Sequence, residues 1–240
     1  MTFPPSNDAP ALHGLKRTAS PRTSAQLLSA LEDMRPVRTR VPARTLVLVA
    51  AAALIYPVYA FAMFPLRRDL GALPAAWVAT MAVVWACGFA LPLLLALLPR
   101  RGQVLPDSAR AGAAAALAAA TLILVGLLFT IDAPGRTVVP QGRWAGFPGL
   151  WWHCVSFGLK VTVPTIFVAA LALRRLGVVS LARLGAAIGA SAGALAGLTL
   201  HGLCPYGGGV HVGLAHGGGV LVGALLGALW LPLIAGTKRA

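Results

Sequence analysis

Charged residues are scarce in this sequence. Asp, Glu, Lys and Arg together make up 11% of the 240 residues, whereas 58% of the residues are hydrophobic and the mean hydropathy is +0.80. A soluble domain ordinarily contains about 25% charged residues. The composition therefore excludes an ordinary soluble domain and indicates a membrane protein.

Acidic residues are the rarest charges, and their positions argue against one class of function. The six are Asp8, Glu32, Asp33, Asp69, Asp107 and Asp132, and none lies inside an apolar run. Proton-driven pumps and transporters carry ionisable groups, often carboxylates, within the membrane. The sequence therefore argues against a transporter built around an intramembrane carboxylate.

Six apolar runs are long enough to cross a membrane, which takes about 20 helical residues. They span residues 45–64, 75–98, 111–131, 150–173, 184–204 and 210–234. The N-terminus lacks the apolar segment of a cleavable secretory signal, so the first run is expected to serve as its own insertion signal. The sequence predicts an all-α, polytopic membrane protein with six transmembrane helices in a domain of residues 44–240.

The 20 Lys and Arg residues are distributed unevenly along this six-span chain. Fifteen lie in the N-terminal tail, in the loops after the second and fourth spans and at the C-terminus, and four lie in the other loops. Because cytoplasmic loops carry the excess of basic residues, both termini are expected in the cytoplasm. Cations at membrane boundaries are expected to contact lipid headgroups and not nucleic acid. The remaining cation, Lys160 in the fourth span, has to snorkel outward or find a polar partner.

The longest segment outside the spans is the predicted cytoplasmic tail, residues 1–43. Thr23 and Gln26 have the spacing of a capping box, which predicts the start of a short helix. Its apolar positions recur at helical spacing and are Leu27, Leu28, Leu31 and Met34. A helix this short needs a partner, either the bilayer surface or a protein. Glu32 and Asp33 favour a protein, since the polar faces of membrane-binding helices are usually rich in Lys and Arg.

Most of the cysteines and histidines are predicted to meet at the outer membrane boundary, although they come from three spans. These residues are His153, Cys154, His201, Cys204, His211 and His216. A disulfide between Cys154 and Cys204 is one chemistry that suits them. A site for a transition-metal ion such as zinc, copper or cadmium, with these thiols and imidazoles as candidate ligands, is the other. Cys87, deep in the second span, is predicted to be a small buried hydrophobic residue.

Glycines recur every four residues in the last two spans. They are Gly185, Gly189, Gly193 and Gly197 in the fifth span, and Gly219, Gly223 and Gly227 in the sixth. Small residues at this spacing give smooth helix faces on which backbones approach closely. We therefore expect close helix packing along both spans.

The order of these features resembles the NrsF-like family of bacterial membrane anti-sigma factors. The shared features are a short N-terminal helix, six spans, Trp-His-Cys at the start of the fourth span and a second His and Cys at the outer end of the fifth. The tail from Leu27 to Arg38 is similar to the N-terminal stretch of that family, an apolar and acidic helix followed by Pro-Val-Arg. One departure is that Gly202 and Leu203 separate His201 from Cys204, whereas in the family the histidine commonly precedes the cysteine directly.

The resemblance implies a function, a partner and a location. It implies a protein of the bacterial inner membrane, not an enzyme, whose tail holds an extracytoplasmic-function sigma factor. It also implies that Cys154 and Cys204 sense metal or oxidative stress outside. The alternative is a membrane thiol oxidoreductase or a metal-handling membrane protein, although the sequence contains no Cys-x-x-Cys pair.

Overall fold

A computed structural model describes residues 43–99, 106–129, 151–174 and 180–236. All of these residues belong to one unit of the chain, Arg38–Ala240. The predicted tail helix, with its apolar residues Leu27, Leu28, Leu31 and Met34, lies outside the described residues. The domain boundary at residue 43 and the role of the tail helix therefore stay predictions.

The described chain forms six long apolar helices. They are α1 (Ala43–Met63), α2 (Ala75–Leu97), α3 (Ser108–Phe129), α4 (Trp151–Leu173), α5 (Leu181–Leu203) and α6 (Gly209–Gly236). Each is long enough and apolar enough to span a bilayer, and no strand occurs in the described ranges. The all-α, six-helix prediction is confirmed. In a membrane, a long apolar run with few charges forms a helix, because a helix pairs its backbone groups internally.

One end of the helix bundle is formed by the last turns of α1, α3 and α5 and the first turns of α2, α4 and α6. Hydrogen bonds connect its elements: for example, the backbone N–H of Arg67 donates to the carbonyl of Gly202 at 3.0 Å, and Nε1 of Trp77 donates to the carbonyl of Phe129 at 2.7 Å. Cys154 and Cys204 both lie at this end, which we call the cysteine end.

Helix α5 lies at the centre of the bundle. It contacts each of the other five helices, and most of its residues are buried. Its face toward α6 consists of glycines, so a Cβ atom on Gly185 or Gly189 would overlap the carbonyl group of Gly227 or Gly223. This backbone contact confirms the close packing that the glycine spacing predicts.

Cys87 faces away from the bundle, so the prediction that it is buried is wrong. Helix α2 instead buries a stripe that includes Met81, Trp85, Gly88 and Pro92. At about 100° per residue, Cys87 lies about 200° around the helix from Trp85, on the opposite face. Hydropathy identifies the span, but α2 is apolar all round, and this hides which face meets the other helices.

Lys160 lies in the middle of α4 with its side chain exposed. Its Nζ atom is 5.6 Å from the centroid of the Tyr56 ring in α1. This is a cation–π geometry, so the ammonium group has an aromatic partner at the α1–α4 contact.

The loop between α1 and α2 carries an ion pair next to the cysteine end. Arg67 is buried, and its Nε and Nη2 atoms donate to the two carboxylate oxygens of Asp69 at 2.7 and 2.6 Å. The hydrogen bond from the guanidinium group holds the pKa of Asp69 below its usual range. Because the backbone of Arg67 also bonds to Gly202, the pair orders this loop against the end of α5.

Candidate functional site

Four thiol and imidazole side chains meet inside the cysteine end. Cys154 lies in the first turn of α4, Cys204 directly follows α5, and His211 and His216 lie near the start of α6. All four are buried, and their potential ligand atoms lie within 4.8 Å of one another. Three helix ends thus form one compact group, which we call the thiol–imidazole cluster.

His211 connects the two cysteines of this cluster. Its Nε2 atom lies 3.4 Å from Sγ of Cys154 and 3.4 Å from Sγ of Cys204, within hydrogen-bonding distance for sulfur. Its ring also contacts Tyr206, with the ring centroids 5.7 Å apart. Both cysteines are free thiols. One imidazole therefore contacts sulfur atoms from two different helices.

A π-helical segment of α6, Val212–Gly217, explains how two histidines of one helix reach the same cluster. In an α-helix, residues five positions apart point about 140° apart. In a π-helix the backbone hydrogen bond joins residues i and i+5, which brings such residues onto nearly the same face. The ring centroids of His211 and His216 are accordingly 5.2 Å apart, with an interplanar angle of 77°.

His216 is 2% exposed, and neither of its ring nitrogens has a hydrogen-bond partner among the described residues. Leaving a buried polar group unpaired costs about 1–3 kcal/mol. One ring nitrogen of His216 lies within 4.8 Å of both thiols and of His211. The imidazole is therefore available to a ligand that enters the cluster.

The other two candidate histidines lie outside the cluster. His201 is buried against the ring of Trp77, at a centroid distance of 5.1 Å, and within the described ranges its ring nitrogens also lack hydrogen-bond partners. His153 is exposed, because consecutive helical residues point about 100° apart and Cys154 takes the inward direction. The structure thus brings together both predicted cysteines and two of the four predicted histidines.

A cavity of about 460 Å³ opens beside the cluster. Its lining includes both cysteines together with Tyr56, His153, Lys160 and Tyr206. His211 and His216 are not part of that lining. A solute that enters the cavity therefore meets the two thiols before it meets the histidines of α6.

Tyr206, Trp77 and the π-helical segment were not predicted from the sequence. A spacing of five residues between His211 and His216 matches no α-helical pair, and so it gives no signal for a shared face. The sequence feature that could indicate an irregular helical turn is the high density of glycines around His211 and His216, from Gly207 to Gly219. Irregular turns are often found where small residues allow close packing.

Fold and cluster together define a polytopic helical membrane protein with a buried thiol–imidazole cluster at one end of its bundle. A family profile, NrsF, described as negative regulator of sigma F, matches residues 31–235. Because the match covers most of the chain, the protein belongs to the NrsF family and is classed with negative regulators of a sigma factor. No curated protein and no solved structure matches the sequence significantly.

The family match begins inside the predicted tail helix. It includes Leu31 and Met34 and starts after Leu27 and Leu28. The family pattern therefore extends from the membrane spans into the tail.

Proposed function

We propose that this protein is an anti-sigma factor of the bacterial inner membrane. Its cytoplasmic tail, residues 1–43, sequesters an extracytoplasmic-function sigma factor, and a metal or oxidative signal at the outer-face cysteines releases it. The observation that carries the proposal is the family match over residues 31–235 of a chain with six membrane-length helices. A sigma factor is the partner that this family membership favours.

The distribution of basic residues supports the orientation that this function needs. The N-terminal region, the loops on its side and the C-terminus hold fifteen of the 20 Lys and Arg residues, which favours a cytoplasmic location for both termini. A cytoplasmic tail can meet a sigma factor. The cysteine end would then face the periplasm, where oxidants and metal ions arrive first.

The contact between α1 and α4 supports a route from the cluster to the tail. Helix α4 carries Cys154 and packs against α1, which begins at the residue where the tail ends. At this contact the rings of Tyr56 and Phe157 lie 5.0 Å apart, and Phe157 also packs against the buried group that contains both cysteines. A coupling of about 1–3 kcal/mol along this route would change sigma affinity roughly 5- to 150-fold.

Two kinds of signal suit the cysteine pair chemically. Hydrogen peroxide would oxidise the two thiols to a disulfide: a sulfur–sulfur bond forms, the peroxide oxygen–oxygen bond breaks, and two water molecules leave with the thiol hydrogens. A thiophilic metal ion would instead displace the thiol protons and bind both thiolates. Either change would pull Cys154 of α4 toward Cys204 at the end of α5.

The role of the tail in sigma binding is tested with substitutions in the full-length protein, so that the membrane helices stay unchanged. Replacing Leu27, Leu28 and Leu31 by Asp should abolish co-purification of the sigma factor and make its target promoters constitutively active. The same change at Leu12 and Leu15, which precede the predicted helix, is the matched control and should leave repression intact. Repression that survives the triple substitution would show that the tail helix does not hold the sigma factor.

A metal-handling membrane protein is the second candidate, since the same four-residue cluster favours it. Transport requires ligands along a path, but within the described residues no second group of three or more His, Cys, Asp or Glu side chains is found. The rate of metal uptake or efflux in a strain that lacks the sigma factor distinguishes the two functions. A transporter changes this rate when overproduced, whereas an anti-sigma factor leaves it unchanged.

A further inference from the structure

The thiol–imidazole cluster has the composition of a closed metal site. We infer that Cys154, Cys204, His211 and His216 together bind one thiophilic divalent ion of the zinc group, Zn²⁺ or Cd²⁺, with all four coordination positions supplied by the protein. The sensing role of this ion rests on the proposed function, in which the cysteine pair detects the signal.

The spacing of the ligand atoms fits a tetrahedral ion. With bonds of about 2.3 Å to sulfur and about 2.0–2.1 Å to nitrogen, the edges of a tetrahedral site measure about 3.3–3.8 Å. Both sulfur–nitrogen distances to His211 are 3.4 Å, and no pair of ligand atoms in the cluster lies more than 4.8 Å apart. A pair at the 4.8 Å limit has to approach by about 1.0–1.5 Å to form such an edge, which side-chain rotation can supply.

Charge and ligand type select the ion. Two thiolates and one divalent cation sum to zero, so the metal-bound cluster carries no net charge into its buried surroundings, where net charge is costly. A monovalent copper ion would leave one negative charge there. Magnesium and calcium need oxygen ligands, which none of the four side chains supplies.

The π-helical segment is a structural part of this site. π-helical turns are rare and are frequently found at functional sites. Gly213 and Gly217 allow the segment to pack directly against α3, because a Cβ atom on either would crowd the backbone of Ile123. The segment is thus held in a position that directs both histidines toward the sulfurs. Metal bonds would then satisfy His216, whose ring nitrogens have no hydrogen-bond partner in the described chain.

Metal binding by the purified full-length protein tests the inference. The probe is Co²⁺, followed by Zn²⁺ and Cd²⁺, added to protein in lipid nanodiscs after reduction of the thiols and removal of bound metal. We expect one equivalent of Co²⁺ to bind, with the visible absorption of tetrahedral cobalt and a sulfur-to-cobalt charge-transfer band, and Zn²⁺ to displace it. Binding should also release about two protons, one from each thiol.

Single substitutions identify the ligands. His216→Gln and Cys204→Ser should each weaken binding more than about 100-fold, since loss of an outer-shell partner alone costs about 10- to 100-fold. His201→Gln and His153→Gln are matched controls, because both remove an imidazole from the cysteine end outside the cluster, and they should leave the affinity unchanged. Helical circular dichroism and a single elution peak establish that each variant is folded.

Two results would overturn the assignment: no stoichiometric Co²⁺ binding by the reduced protein, or a control variant that weakens binding as much as His216→Gln. Sigma-factor retention is measured in the same nanodiscs before any metal is added, because bound metal is expected to release the sigma factor. The metal site and the anti-sigma function can then fail separately. Retention without metal binding overturns the metal site and leaves the anti-sigma function. Metal binding without retention overturns the anti-sigma function and leaves the metal site.

Discussion

The three cysteines show how much position decides the chemistry of a residue. Cys154 and Cys204 are buried in a cluster with two histidines and line an open cavity. Cys87 is exposed on the outer surface of α2, a helix long enough and apolar enough to span a bilayer. A thiol that faces hydrocarbon is out of reach of polar oxidants and metal ions, whereas the two thiols that line the cavity are accessible to them.

Thiol labelling in cells tests this difference. A membrane-impermeant maleimide should label Cys154 and Cys204 before stress, through the cavity that both line, and label neither after exposure to Cd²⁺. A chelator should restore labelling if a metal protects the thiols, and a reductant should restore it if a disulfide does. Cys87 is the internal control and should stay unlabelled throughout. Protection of Cys154 and Cys204 before any stress would identify a purely structural pair.

A second prediction at the residue scale concerns Asp69. Its pKa is lowered in the folded protein, so the stability contributed by its pair with Arg67 is present above the unfolded value of 3.8 and is lost as pH falls through the lower folded value. Asp69→Asn should remove this contribution, about 1.5–3 kcal/mol for a hydrogen bond to a charged group, at neutral pH. Thermal unfolding in detergent measures both effects. Equal midpoints for the wild type and Asp69→Asn at pH 7 would contradict this account of the loop.

At the scale of elements, the contact between α5 and α6 depends on glycine. Gly189→Ala places a methyl group against the carbonyl of Gly223 and should cost about 1–3 kcal/mol through overpacking. Gly158→Ala in α4 is the matched control, since its Cβ meets no other atom within 4 Å and alanine favours helix. Thermal unfolding of the two variants in the same detergent compares their stabilities. A Gly189→Ala variant as stable as Gly158→Ala would mean that α5 and α6 do not pack through these backbones.

Helix positions are predictable from the sequence because the cost of burying charge in hydrocarbon is large and local. The glycine faces of α5 and α6 are predictable for a similar reason, since the spacing itself defines the contact surface. The orientation of Cys87 is not predictable, because α2 is apolar on all sides and its buried face depends on its neighbours. The pairing of His211 with His216 is hidden as well, since it needs a π-helical turn that hydropathy does not detect.

At the scale of the whole molecule, the proposal requires one end of the bundle to influence the tail that precedes α1 in the sequence. Helix α4 is the connecting element, because it carries Cys154 at the cysteine end and packs along α1, the helix that follows the tail. Helix α5 contacts all the other helices, so the proposal makes it the core against which α4 would move. Signal sensing and sigma binding are thus assigned to separate parts of the chain and can be disrupted separately.

The most direct test of the central claim is the distribution of the sigma factor between membrane and soluble fractions of cells before and after exposure to Cd²⁺. The account predicts that the wild-type protein keeps the sigma factor in the membrane fraction and releases it on exposure, as does Cys87→Ser. Cys204→Ser should retain it in both conditions. A sigma factor that is soluble without any signal, or that leaves the membrane equally in the wild type and Cys204→Ser, would contradict the account.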